Sequence, residues 1–169
     1  MKTHVSALIG TVLLAIAYPG WAAKESSKLS EFKGRYTGTI FLNASGSPIS
    51  GTTTGRISAA KTKENGTIAL TSVINSSGTS ASWNETYGLH KRALSYSLFI
   101  SPSTFAPGSG TVHVGKTSIT YSGTFTTGGS TFAFSGTMKK TKRGLTITEL
   151  ITGPTTISVT YTLRKQGKD

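Results

Sequence analysis

Residues 121–137 read YSGTFTTGGSTFAFSGT, and this stretch decides the fold. Tyr121, Gly123 and Phe125 share one parity, with Ser122, Thr124 and Thr126 on the other. After Thr127-Gly-Gly129 the alternation resumes, with Phe132, Phe134 and Gly136 against Thr131, Ala133 and Ser135. Side chains on a strand point to alternate faces, so each half reads as a strand with one buried and one wet face. The Gly-Gly step accepts the positive φ values of a tight turn, so the two halves form one hairpin.

The same period of two runs outward in both directions. Tyr36, Gly38, Ile40 and Leu42 alternate with Arg35, Thr37 and Thr39. Ile57, Ile68, Leu70 and Ile74 follow, then Trp83, Tyr87 and Leu89, then Leu94, Tyr96, Leu98 and Ile100. Val112 and Val114 form a short run, and Leu145, Ile147, Ile151, Val159, Tyr161 and Leu163 complete the series. Thr dominates the opposite parity, where its β-branch favours extended backbone. Turn signals separate the runs at Asn43–Pro48, Glu64–Gly66, Ser76–Gly78, Pro107–Gly110, Thr127–Gly129 and Gly153-Pro154. The expected fold is all-β, with about ten antiparallel strands in up-and-down order. A meander with one apolar face removes its edges by closing into a barrel, and a two-sheet β-sandwich is the alternative. Gly38, Gly123 and Gly136 fall mid-strand in the apolar parity, where glycine lets a curved strand bend. Ser101–Gly110 reads as the longest loop.

The N-terminus has the form of a removable export signal. Lys2 precedes an apolar run from Val5 to Tyr18, and Gly20-Trp21-Ala22 offers small residues for cleavage after Ala22. The expected organisation is a signal peptide over 1–22, an N-terminal segment over 23–33 with one helical turn ending near Phe32, and a single barrel domain over 34–169. The expected location is secreted or periplasmic. With 0 Cys, the chain can form no disulfide, thiolate nucleophile or cysteine-held metal site. No cofactor is expected.

The formal net charge is +12, from 18 basic and 6 acidic residues. Successive loops of a meander fall on alternate ends, and the charge sorts with them. Asn43–Ser50, Asn75–Thr79, Ser101–Gly110, Thr126–Ser130 and Thr152–Thr155 carry none. The other set carries Lys61, Lys63, Lys91, Arg92, Lys116, Lys139, Lys140, Lys142 and Arg143, joined by the cations near both termini; Arg56 falls outside the pattern. Such an end favours anionic lipid or glycan surfaces. Its loops lack the interleaved aromatics that stack nucleic-acid bases, so nucleic acid is not an expected partner.

Only Glu85 and Glu149 place carboxylates inside strands, both in the apolar parity. A bulge or strand end could return them to solvent. Otherwise both point into a lumen walled by Trp83, Tyr87 and Tyr96, and bind a polar group of a ligand. The fourth and ninth strands of a ten-strand barrel lie nearly opposite, so the two carboxyls would face each other. Nothing else reads as catalytic: His90 and His113 stand alone, and Asp169 is terminal.

Gly34-Arg35-Tyr36 at the first strand resembles the Gly-x-Trp opening of the lipocalins, with Tyr in place of Trp. The resemblance extends to the calycin-type small β-barrels generally. It implies a small hydrophobic ligand in the lumen, and a role for Arg164 as the basic residue packed over the opening aromatic. The helical lid of fatty-acid-binding proteins and the biotin-site pattern of avidins are not matched.

The expectation for function is therefore an exported, non-enzymatic barrel that binds a small apolar or amphipathic ligand. Two other readings stand beside it. One is a structural cell-envelope domain whose basic end contacts anionic surfaces, favoured by a core filled with Phe125, Phe132, Phe134, Tyr121 and Tyr161. The other is an outer-membrane barrel with its apolar face toward lipid.

Overall fold

A computed structural model describes residues 29–60, 65–76 and 78–167. The signal peptide expected over 1–22, residues 23–28, Lys61 and Lys63 lie outside the described residues.

A 3-10 turn (Leu29–Glu31) precedes ten strands: β1 (Gly34–Ala44), β2 (Ser47–Ala59), β3 (Gly66–Ser76), β4 (Thr79–His90), β5 (Ala93–Ile100), β6 (Thr104–Val114), β7 (Ser118–Thr127), β8 (Ser130–Lys140), β9 (Gly144–Thr152) and β10 (Ile157–Lys165). Each pairs antiparallel with its sequence neighbours, and β1 pairs with β10, closing the barrel. The expected up-and-down barrel is the observed fold. Followed through the paired residues, the register slips by about twelve residues in one circuit, a stagger that tilts strands by roughly 40°.

The hairpin of β7 and β8 shows why these residues fold this way. Gly128 and Gly129 take φ values of +56° and +75° between the closing pair Thr127 and Ser130. Tyr121 lies opposite Gly136, and Phe134 lies opposite Gly123. A Cβ on Gly136 would collide with the Tyr121 ring, and one on Gly123 would collide first with the Ser109 carbonyl oxygen of β6 and also meet Phe134 Cζ at 2.8 Å. These glycines therefore seat aromatic rings, beyond allowing the strand to bend.

The apolar parity faces inward. Tyr36, Ile40, Leu42, Ile68, Leu70, Leu98, Phe125, Met138, Ile147 and Tyr161 are all buried. Ser and Thr form the outer wall, with Thr120, Thr137, Thr148 and Thr160 directly opposed across β7 to β10. This reverses the outer-membrane reading, which needs the apolar parity outside.

Three expectations are corrected. Ser101–Gly110 is a short turn followed by β6, because Pro107 pairs only with Ser97 of β5; pairing with β7 begins at Gly108, so the missing N–H of proline breaks no ladder. Arg56 belongs to the basic end after all, since β2 runs toward that end and Arg56 pairs with Arg35. Arg164 is exposed on the outer wall opposite Thr37, whereas Tyr36 points inward, so the parity of β10 denies Arg164 the lipocalin role.

The charge sorting otherwise holds as expected. The turns β1–β2, β3–β4, β5–β6, β7–β8 and β9–β10 share one end and carry no charge among the described residues. Lys91, Arg92, Lys116, Lys142 and Arg143 lie in turns at the other. The 3-10 turn plugs that basic end. Leu29 and Phe32 are fully buried, the Tyr36 hydroxyl donates to the Phe32 carbonyl at 2.5 Å, and Lys140 pairs with Glu31 at 3.3 Å.

Candidate functional site

Strands β4 and β9 set the interior chemistry. In-phase alternation carries Trp83, Glu85, Tyr87 and Leu89 inward on β4, and Leu145, Ile147, Glu149 and Ile151 inward on β9. No bulge intervenes: Glu85 pairs in register with Leu70 and Leu98, and Glu149 with Gly136 and Val159. Both carboxylates are buried, at 0% and 4% exposure, so the return to solvent does not occur.

The two carboxyls face the same lumen, close enough for the charge of one to act on the other. Phenols surround them. Tyr96 donates to Glu85 Oε1 at 3.1 Å and Tyr161 donates to Glu85 Oε2. Tyr87 donates to Glu149 Oε2 at 3.2 Å. Burial, and then the charge of Glu85, hold the Glu149 carboxyl well above the ordinary carboxylate range. A proton on Glu149 removes the repulsion between the two carboxyls. Burial, reinforced by the carboxylate charges, raises Tyr87, Tyr96, Tyr121 and Tyr161 well above the ordinary phenol value, so they remain donors.

Aromatic packing holds the cluster. The rings of Tyr87 and Tyr96 lie 5.2 Å apart, Tyr87 and Tyr121 5.0 Å, and Tyr96 stacks on Phe134 at 4.3 Å. Phe125 stacks on Phe132 at 5.2 Å. Among the described residues, three buried side-chain polar atoms at inward positions have no hydrogen-bond partner: Trp83 Nε1, Tyr121 Oη and Glu149 Oε1. Buried polar atoms are nearly always bonded, so these three mark unused binding capacity in the interior. No group of three or more potential metal ligands occurs among the described residues.

The expected site residues Glu85, Glu149, Trp83, Tyr87 and Tyr96 are thus brought together in one lumen. Sequence reasoning placed Tyr121 and Tyr161 only in the core; each is in the inward parity, and the cross-barrel register brings Tyr161 to Glu85. It missed Thr53 and Ser72, buried and bonded to each other at 2.7 Å. Their signal was phase, since Thr53 alternates with Ile57 and Ser72 lies between Leu70 and Ile74.

The expected anionic-surface residues Lys91, Arg92, Lys139, Lys142 and Arg143 are exposed at the basic end, and Lys140 is half-buried against Phe32, its Nζ 5.8 Å from the ring centre. On the outer wall nearby, Arg92, Thr111, His113, Thr120 and Ser122 line a depression of about 450 Å³.

No family model matches the chain, and no curated protein matches it. Among solved structures, the crystal structure of Rv2717c from M. tuberculosis is similar, with a TM-score of 0.56 and 12% identity over 82% of this chain and 95% of that one. The likeness is one of fold.

Proposed function

We propose that the protein is an exported, non-catalytic barrel that holds one small apolar or amphipathic molecule in its interior. The observation that carries this reading is that Trp83 Nε1, Tyr121 Oη and Glu149 Oε1 lie at inward-facing positions, buried and without hydrogen-bond partners. A ligand with a hydrogen-bonding head and an apolar body satisfies these atoms while its body meets Leu, Ile and Phe walls. The test is native mass spectrometry of the chain after incubation with a total lipid extract. One bound molecule per chain, lost on Glu149→Leu, supports the reading; a spectrum of bare protein at all extract concentrations rejects it.

A second reading is favoured by the sorted charge: the basic end docks on an anionic lipid or glycan surface. Its described cations project from three separate turns and from strand ends around Arg92 and Lys142, so their fields add over one face. Retention on heparin that falls steeply with salt supports it, and retention unchanged by Lys142→Ala with Arg143→Ala argues against it.

A further inference from the structure

The uncharged end of the barrel carries its own surface signal. Among the described residues the large hydrophobic side chains that are exposed are Phe41, Val73, Phe99, Phe105 and Leu150. Every one lies within three residues of the uncharged rim: Phe41 before Ala44, Val73 before Ser76, Phe99 before Ile100, Phe105 after Thr104 and Leu150 before Thr152. Elsewhere the described outer wall is mainly Ser, Thr and charge, with small or polar residues such as Ala69, Asn84, His113 and Ala133. Single exposed apolar residues scattered over a surface need no explanation, but confinement of all of them to one rim does.

Their placement around the circuit identifies the occupant. They project from β1, β3, β5, β6 and β9, which together span the whole barrel. A partner resting against one side of the wall reaches two or three of them. End-on immersion in a planar apolar layer reaches all five. Three residues along a strand tilted by about 40° descend roughly 7–8 Å, which matches the 5–10 Å depth to which peripheral proteins enter the headgroup–acyl boundary. The described turns at this rim, which enter the layer first, carry no charge to desolvate. The cations stand a full strand length away, on the order of 25 Å, well beyond a screening length of about 8 Å. Anionic lipid therefore contributes little to contact at this end.

We infer that the uncharged rim is a membrane-docking collar: the barrel inserts it end-on into the interface of an electrically neutral lipid bilayer. This does not depend on the lumen holding a ligand, and it is a separate surface from the basic end.

The test is co-sedimentation of the chain with phosphatidylcholine vesicles at 0.1 and 0.5 M NaCl. The expected result is binding that changes less than twofold with salt. The triple variant Phe41→Ser, Phe99→Ser, Phe105→Ser, which extends the natural Ser/Thr wall, lowers the bound fraction at least tenfold while keeping the far-ultraviolet spectrum. The variant Lys91→Ala, Arg92→Ala, Lys142→Ala, Arg143→Ala binds within twofold of the unaltered chain. As an independent readout, Phe105→Trp, at the most exposed position (61%), gains a blue-shifted emission quenched by brominated phosphatidylcholine. Three results would each overturn the inference: no binding to neutral vesicles, binding only to phosphatidylglycerol vesicles and abolished by salt, or a dimer in solution that the Phe→Ser triple variant dissociates.

Discussion

Tyr87 of β4 donates a hydrogen bond to Glu149 of β9 at 3.2 Å, directly across the interior and between strands that never pair. With Tyr161 of β10 reaching Glu85, the two sides of the barrel are tied through a polar centre inside an apolar shell. Such a centre opposes stability unless it is kept for a purpose, because each buried carboxyl loses its water.

Glu149→Gln is expected to stabilise the fold at neutral pH by roughly 1–3 kcal/mol, since the amide keeps the Tyr87 bond without a proton to hold. The sign follows from the raised Glu149 value. The folded state binds a proton that the unfolded state releases above the ordinary carboxyl range, so the stability associated with this group is complete below that range and is lost as pH rises through the folded value. Melting temperatures from pH 4 to 8 should fall with pH in the unaltered chain and fall less in the variant. A steeper fall in the variant would contradict this.

Tyr161→Phe is expected to cost about 1.5–3 kcal/mol, because it removes a hydrogen bond to a buried carboxyl. Tyr96→Phe should cost a similar amount for the same reason. Urea unfolding with unchanged slope checks both, and losses below 0.5 kcal/mol, less than about half an ordinary hydrogen bond, would mean that water replaces the phenols.

Gly136→Ala is expected to destabilise by roughly 1–3 kcal/mol, because the new methyl meets the Tyr121 ring. Combining it with Tyr121→Leu should cost less than the sum of the two single changes, since the ring that collides is gone. Additive losses would show that the backbone, and not the ring, excludes the side chain.

Phe32→Ala is expected to cost about 3–5 kcal/mol by opening the plug at the basic end. Lys140→Ala, which breaks a partly exposed pair with Glu31, should cost under about 1 kcal/mol. Equal losses would mean that the ion pair, and not apolar burial, seats the plug.

The barrel was legible because the period of two ran unbroken through nearly every strand and the glycine turns fell between the runs. The Glu85–Glu149 pair was legible from parity alone, since strands four and nine of ten lie opposite. What hid was local. Pro107 and its neighbouring glycines imitate a loop, yet they lie in a part of β6 that pairs on one side only. Thr53 and Ser72 look like wet-face residues because their type outweighs their phase. The partnership of Tyr161 with Glu85 needs the cross-barrel register, which no local pattern carries. The rim collar was invisible because its members come from five strands, and only closure of the barrel places them at one height.

The most direct measurement is a Nile red titration of the chain at neutral pH, repeated with Trp83→Phe and Tyr121→Phe, which leave the walls intact and remove the unpartnered polar atoms. Saturable binding of one dye per chain, weakened at least fivefold when both changes are combined, is the result expected of a polar-lined site in the lumen. Binding that does not saturate, or that is indifferent to both substitutions, would place the dye on the outer wall and contradict an interior ligand site.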